Sequence, residues 1–223
     1  MTKARKLPSA KPSAPDASQD TEARILAAAR VVFTRAGTAG ARMQDIAREA
    51  GVNQALLHYY FRTKQALADR VLREAAGKIL AALPQTLRAD ASLEDALSGF
   101  VRSYITTMRQ TPFLPPYLAA EAHHNPARVL AIFAAVTGRS PEQGPPPVLA
   151  VAQQMIDARV AAGEMRPIRA EQLVINVMAL LAFPFVARSI LGGVLAMDQA
   201  AFDRFLDERC DDLPRFILNA VRQ

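Results

Sequence analysis

Residues 43–67 read MQDIAREAGVNQALLHYYFRTKQAL, and they contain two short helical patterns separated by a tight turn. Apolar residues recur at helical spacing before Gly51, which is a typical helix-ending residue. Asn53 is a good N-cap for a helix that begins near Gln54. In that helix we expect Leu56 or Leu57, Tyr60 and Phe61 to face inward. Two short helices joined by a glycine-containing turn predict a helix-turn-helix.

A longer amphipathic helix precedes this pair. Its apolar stripe follows the i, i+4, i+7, i+8, i+11 series and consists of Ile25, Ala29, Val32, Phe33 and Ala36. Asp20 or Thr21 can cap its start and Gly37 can end it. Residues 21–67 are therefore predicted to form a three-helix domain.

The rest of the chain also has helical periodicity, and no alternating strand pattern stands out. Residues 1–20 are rich in Ser, Pro, Ala and Lys without periodicity, so we predict a disordered basic tail. Residues 68–223 are predicted to form a second helical domain. Its helices are expected at 67–83, 92–110, 126–137, 147–162, 170–191 and 199–221. The fold class is therefore all-α, with about nine helices.

The net charge of +6 is concentrated at the N-terminal end. Residues 1–20 carry a net charge of +2, residues 21–64 carry +4, and residues 65–223 carry equal numbers of basic and acidic side chains. This distribution favours a polyanionic partner for the N-terminal part, although solvated surface charge would give the same count.

Several classes of protein are disfavoured by the composition. The single cysteine, Cys210, can form neither an internal disulfide nor a thiolate zinc site, which fits a reducing, cytoplasmic setting. The N-terminus lacks the apolar stretch of a signal peptide. The longest apolar run, between Glu171 and Arg188, is short for a membrane span and contains Pro184. No nucleophile–base constellation that would indicate an enzyme is evident.

Three elements together resemble the DNA-binding domain of the TetR/AcrR family of bacterial transcriptional regulators. They are ILAAARVVFTRAG at residues 25–37, MQDIAREAGV at 43–52 and NQALLHYYFRTKQAL at 53–67. The resemblance covers about a fifth of the chain, and its specificity comes from the agreement of several spaced elements. The remaining helices fit the family's ligand-binding and dimerisation domain.

The resemblance implies that the helix from Gln54 is a recognition helix in the DNA major groove. Gln54 can pair with adenine through two hydrogen bonds, and Ala55 and Leu56 can contact a thymine methyl group. The full set of expected DNA-contacting residues is Arg42, Gln44, Asn53, Gln54, Ala55, Leu56, His58, Tyr59, Tyr60 and Lys64. Within this set Arg42, Tyr60 and Lys64 fall at phosphate-contact positions.

Three residues depart from the family pattern. His58 stands where the family usually has tyrosine, which leaves the recognised base sequence open. Arg42 stands where a small hydroxyl residue usually caps the second helix, so a cap is lost while a charge contact is gained. Thr38 stands where an aromatic residue is usual, which indicates looser local packing.

The last two predicted helices have more apolar surface than one chain is expected to cover. Residues 170–191 leave almost no polar face, and the stripe of 199–221 is wide and aromatic. We expect a homodimer through these two segments, since a helix-turn-helix reader also requires a two-fold partner. The alternative is that both are ordinary core helices.

The resemblance further implies a small-molecule effector in the second domain. The candidate lining residues are Met108, Phe113, Tyr117, His123, His124 and Phe133, together with Leu114. Pro112, Pro115 and Pro116 are expected to break the helices around them. Glu121 and His124 have a spacing that could hold a metal ion but lack further ligands nearby, so no metal and no cofactor is predicted.

The predicted function is therefore a ligand-responsive, sequence-specific, DNA-binding transcriptional regulator. By analogy with the family it is a repressor, released from a palindromic operator on double-stranded DNA by an apolar small molecule. The alternative is a non-specific or architectural DNA-binding protein without an effector. A large, electrically neutral helical body of about 150 residues disfavours that alternative.

Overall fold

The computed structural model describes residues 14–86 and 92–222. The chain divides into two compact units, Met1–Ala68 and Asp69–Gln223. Within the described ranges there are eleven α-helices, one 3-10 turn at Pro141–Gln143 and no strand. The all-α prediction is confirmed, and the count of about nine helices is slightly too low.

The first unit contains α1 (Ala14–Gly40), α2 (Met43–Ala50), α3 (Gln54–Tyr60) and the start of α4 (Lys64–Thr86). The first helix begins at Ala14, so residues 14–20 are helical instead of belonging to the predicted tail. Pro15 is compatible with this early start because proline is tolerated in the first turn of a helix. The other predicted tail residues, 1–13, lie outside the described residues.

Gly37 interrupts α1 as the sequence predicts. Its φ of +66° and ψ of 168° are not helical, and a short additional helical segment continues to Gly40. The apolar stripe on the preceding part is buried, with Ile25, Ala29 and Phe33 fully inaccessible to solvent. Burial of this stripe stabilises the unit through the hydrophobic effect.

The second unit contains most of α4 and seven further helices. They are α5 (Leu93–Gln110), α6 (Leu114–His124), α7 (Pro126–Thr137), α8 (Pro147–Ala161), α9 (Ala170–Val186), α10 (Arg188–Val194) and α11 (Gln199–Val221). Helix α11 packs along α5, and α9 contacts α5, α6, α8 and α10. Leu206, Ile105 and Leu181 are almost completely buried in this core.

Two differences explain the higher helix count. Pro115 and Pro116 do not break a helix but lie in the first turn of α6, where the missing N–H groups have no intrahelical partner to lose. The predicted helix at 170–191 is two helices, α9 and α10, whose axes differ by 69°. The bend lies at Ala187, after Pro184.

None of the helices in the described ranges is by itself long and apolar enough to cross a membrane. The bent pair α9 and α10 reaches the necessary length and composition only when the two helices are taken together.

Candidate nucleic-acid interface and cavity

The turn between α2 and α3 is fixed by two residues. Gly51 adopts the left-handed conformation, with φ +64° and ψ 34°, and its N–H caps the end of α2. Val52 N–H then donates to the carbonyl oxygen of Ala47 at 3.0 Å. Asn53 Oδ1 accepts from the backbone N–H of Leu56 at 2.7 Å and so caps α3. Both caps were predicted from sequence, and together they set the angle at which α3 leaves the turn.

Helix α3 has one buried and one exposed side. Leu57 is fully buried and the following Phe61 is buried as well, so Leu57 is the inward leucine and Leu56 is the exposed one. The residues on the exposed side are Gln54, Ala55, Leu56, His58 and Tyr59. Tyr59 has 80% of its surface exposed, which is unusual for a large aromatic side chain with nothing to cover it. This side of α3 is therefore available for an external partner.

The first helix helps to hold α2 and its turn in place. Arg24 Nη2 donates to the carbonyl oxygen of Ala50 at 2.9 Å and to that of Gly51 at 3.4 Å. These carbonyls lie at the C-terminal end of α2, where a cation is also favoured by the helix dipole. The charge of Arg24 was counted in the sequence, but its structural role was missed, because it depends on a contact across 26 residues of chain.

Two predicted phosphate contacts already have partners within the unit. Lys64 Nζ donates to the carbonyl oxygens of Ala39 and Ala41, each at 2.9 Å. The Tyr60 hydroxyl lies 3.0 Å from Ser18 Oγ and donates to the Ser18 carbonyl at 3.3 Å. Tyr60 is half-buried and its ring packs edge-to-face on Tyr59. Both residues therefore help to hold the unit together whatever else they bind.

The remaining predicted residues on α2 are exposed. Arg42 occupies the N-cap position of α2 without a side-chain cap, as its departure from the family pattern implied, and Gln44 lies in the first turn. Arg48 is exposed and pairs with Asp45. Arg62, directly after α3, is exposed too and was not singled out in the sequence. Its position beside α3 and its positive charge are the sequence features that could have identified it as a candidate DNA contact.

The second unit contains an apolar cavity of about 390 Å³. Side chains from α4, α5, α6, α7, α8 and α9 line it. Of the candidate lining residues, Met108, Leu114 and Phe133 line this cavity. Tyr104 and Phe100, one turn apart on α5, also line it and were not predicted.

Four of the predicted lining residues lie elsewhere. Phe113 is buried at the N-cap of α6, and His123 and His124 are exposed in its last turn. The Tyr117 hydroxyl is buried and donates to Asp69 Oδ1 at 2.8 Å. Residues that are close together in sequence point in different directions around a helix. Closeness in sequence therefore did not identify which aromatic and histidine side chains line the cavity.

Tyr117 belongs to a polar cluster with Asp69 on α4 and Arg128 on α7, in which Tyr117 and Asp69 are buried and Arg128 is partly exposed. Arg128 donates to Asp69 Oδ2 from Nε at 3.0 Å and from Nη2 at 2.6 Å. The hydrogen bond from Arg128 to Asp69 raises the pKa of Arg128, and burial, reinforced by Asp69, raises the pKa of Tyr117. Three helices of the second unit are thus joined by one carboxylate.

Sequence comparison agrees with the geometry of the first unit. Residues 25–71, which include α2, the turn and α3, match the family described as bacterial regulatory proteins, tetR family. Residues 25–71 are therefore identified as a tetR-family domain. The chain is 33% identical over 99 residues to the HTH-type transcriptional regulator BetI of Rhizobium meliloti, covering 44% of this chain and 47% of that protein. It is 36% identical over 88 residues to the HTH-type transcriptional regulator RutR of Escherichia coli K12, covering 40% and 41%.

These matches span less than half the length of each curated relative. Solved structures resemble most of this chain at the level of fold. A tetR-family regulatory protein from Rhodococcus RHA1 has a TM-score of 0.63 at 19% identity, covering 90% of this chain and 96% of that one. Salmonella enterica GusR has a TM-score of 0.56 at 19% identity with the same coverage.

Proposed function

We propose that the chain is a dimeric transcriptional repressor that binds a palindromic operator through α2 and α3 and is released by a small molecule. The observation that carries this proposal is the exposed side of α3. Its polar and aromatic residues have no role in the core, and they lie on a helix that is capped and braced by its neighbours. A rigid short helix of this kind is what major-groove readout requires.

The exposed residues divide into two kinds of DNA contact. Gln54, Ala55 and Leu56 have the chemistry for reading base edges and thymine methyl groups, and His58 and Tyr59 extend that surface. Arg42 and Arg62 flank it and supply charge for the phosphate backbone. Lys64 and Tyr60 already bond to their own chain, so we assign them a positioning role in addition to any phosphate contact.

A second copy of the chain is the proposed partner of α9 and α11. Ile175, Phe183 and Phe216 are each more than 60% exposed on these helices. A groove of about 310 Å³ lies between the same helices. Two-fold pairing would cover this apolar surface and would place two α3 helices for the two halves of a palindrome.

Pairing is tested by the molar mass in solution. Phe183→Glu should convert a dimer into monomers in sedimentation equilibrium. Leu130→Glu, which introduces the same charge at an exposed leucine of α7, is the control and should leave the dimer intact. A wild-type monomer at micromolar concentration would contradict the pairing.

Sequence-specific binding is tested by selection from random DNA duplexes at near-physiological salt, followed by sequencing of the bound pool. Enrichment of a palindrome is the expected result. Retention of random DNA that disappears as salt rises would instead favour the non-specific DNA-binding alternative. The selection is repeated with refolded protein, so that a co-purified effector cannot suppress binding.

The proposed release mechanism places the effector in the cavity of the second unit. An effector shifts the equilibrium only if it binds the operator-free conformation more tightly than the operator-bound one. The proposed site of action is the cytoplasm, where the operator would be accessible. No catalytic step is part of this proposal.

A further inference from the structure

The cavity of the second unit contains no charged side chain among its described lining residues. Those residues are aliphatic or aromatic, apart from the two methionines Met108 and Met178, and Tyr104 is the single tyrosine among them. The charged side chains of the cluster described above, Asp69 and Arg128, pair with each other and are not part of the lining. An ionised ligand group seated among these residues would therefore lose its hydration without gaining a counter-charge from them, which is strongly unfavourable.

Tyr104 is the one lining residue with a side-chain oxygen or nitrogen. It is only 5% exposed, and its ring is held between Phe100 and Phe185, with centroids 6.4 Å and 6.3 Å away. No hydrogen bond joins its hydroxyl to any residue within 14–86 or 92–222. Buried hydroxyl groups are normally hydrogen-bonded, so a hydroxyl that lines a cavity and is bonded to no described residue is available to bind a ligand there.

From these two observations we propose that the effector is an uncharged, mainly hydrocarbon molecule with one hydrogen-bonding group, which binds Tyr104. This inference rests on the proposed function, because it identifies the chemical class of the same effector. Burial raises the pKa of Tyr104 to about 12, so its hydroxyl is protonated at neutral pH and can donate to a carbonyl, ether or hydroxyl oxygen. The volume suits a small ligand, since drug-sized pockets begin at about 300 Å³.

The charge requirement is tested with ligands that share one ring system. Binding of naphthalene, 2-naphthol, 2-naphthoate and 2-naphthylmethylammonium to the full chain is followed by their fluorescence at pH 7. We expect 2-naphthol to bind at least tenfold more tightly than either ion. Equal or tighter binding of the anion or the cation would overturn the proposal.

The role of the hydroxyl is tested by Tyr104→Phe, which keeps the ring. The affinity for 2-naphthol should fall roughly fivefold, as expected from the loss of one neutral hydrogen bond, while that for naphthalene changes less than twofold. An equal loss for both ligands would mean that Tyr104 only packs, and would refute its assignment as the polar anchor.

The location is tested by a matched pair on α8. Ala152 lines the cavity, whereas Ala150 on the same helix is exposed and does not. Ala152→Phe should abolish binding of 2-naphthol and Ala150→Phe should leave it unchanged. Ala152→Met is the smaller replacement to use if the phenylalanine variant does not fold, and it should weaken binding in the same direction.

Ligand binding and operator release are measured separately, so that the two proposals can fail independently. If 2-naphthol binds as described but never releases the selected operator, the ligand class stands and the release mechanism fails. If a charged compound binds in the cavity and releases the operator, the repressor proposal stands and the ligand class is refuted.

Discussion

Arg209 donates from Nη2 to the carbonyl oxygen of Leu180 at 2.6 Å. In a regular helix this carbonyl would accept from residue 184, but that residue is Pro184, which has no N–H. A side chain of α11 therefore supplies the donor that α9 lacks. The guanidinium is confined here, with its Nε buried and without a partner among the described residues, and desolvation lowers its pKa.

Arg209→Met should lower the free energy of unfolding by about 1 kcal/mol, because the Leu180 carbonyl loses its donor. The cost should be smaller in the Pro184→Ala background, where the restored N–H can replace Arg209. Urea denaturation of the wild type, both single variants and the double variant measures this coupling. Equal costs in the two backgrounds would show that Arg209 does not compensate for Pro184.

Asp69→Asn should lower the free energy of unfolding by about 1–3 kcal/mol. The substitution leaves a hydrogen-bonding group for Tyr117 but removes the charge that pairs with Arg128. Asp211→Asn is the control, since Asp211 pairs with Arg102 at 3.0 Å where both side chains are mostly exposed. That variant should change stability by no more than about 0.5 kcal/mol in the same denaturation experiment. Similar losses of unfolding free energy in the two variants would show that the burial of Asp69 does not strengthen its contribution.

Gly51→Ala should destabilise the first unit by about 1 kcal/mol, because its φ of +64° is unfavourable for a residue with a Cβ. The added methyl group itself would meet only ordinary contact, with Arg24 Nη2 at 3.6 Å. Gly77→Ala provides the contrast. Gly77 lies inside α4 with nothing within 4 Å of a Cβ, so this change should stabilise by about 0.5–1 kcal/mol. Thermal unfolding should shift in opposite directions for the two variants.

Gln54→Ala should remove the preference for one base pair in each half of the selected operator. The affinity difference between the preferred and the wrong base pair, about 1–3 kcal/mol, should then be lost. Arg62→Ala should instead weaken binding to all duplexes alike and reduce the salt dependence of the affinity. Gln65→Ala, an exposed position on α4, is the control. Fluorescence anisotropy with the operator and with its single-base variants distinguishes these outcomes. An unchanged base preference in Gln54→Ala would show that Gln54 does not read a base pair.

Tyr104 should make the protein less stable at alkaline pH. Its pKa is about 12 in the folded chain and about 10 when unfolded, so the stabilisation is complete below pH 10 and is lost as the pH rises to 12. The full difference is about 3 kcal/mol. Tyr104→Phe should flatten the dependence of unfolding free energy on pH in this window, whereas Tyr59→Phe, at an exposed ring, should follow the wild type. In Tyr104→Phe, part of the decline in unfolding free energy at alkaline pH should remain, because burial raises the pKa of Tyr117 as well.

The local features of the first unit were accessible from sequence. Gly51 and Asn53 act through bonds to residues within four positions, so their identity and spacing are sufficient to predict both caps. The sequence does not distinguish Leu56 from Leu57 as the inward residue, because adjacent positions differ by only about 100° on a helix. The structure selects Leu57.

Features that join distant segments could not be predicted in the same way. Arg24 contacts a carbonyl 26 residues away and Asp69 meets Arg128 across 59 residues. Nothing in the spacing of these residues identifies their partners. Pro115 and Pro116 were misread because a proline has opposite effects at the start and in the middle of a helix, and the start of α6 has no strong N-cap signal.

The absence of charge in the described lining of the cavity has a calorimetric consequence. Transfer of an apolar molecule into such a space removes nonpolar surface from water, and the heat-capacity change of binding is therefore negative. The binding enthalpy accordingly becomes more favourable as the temperature rises. As the temperature rises, enthalpy should therefore contribute more to binding of the proposed effector, while the affinity changes little because the entropy changes in compensation.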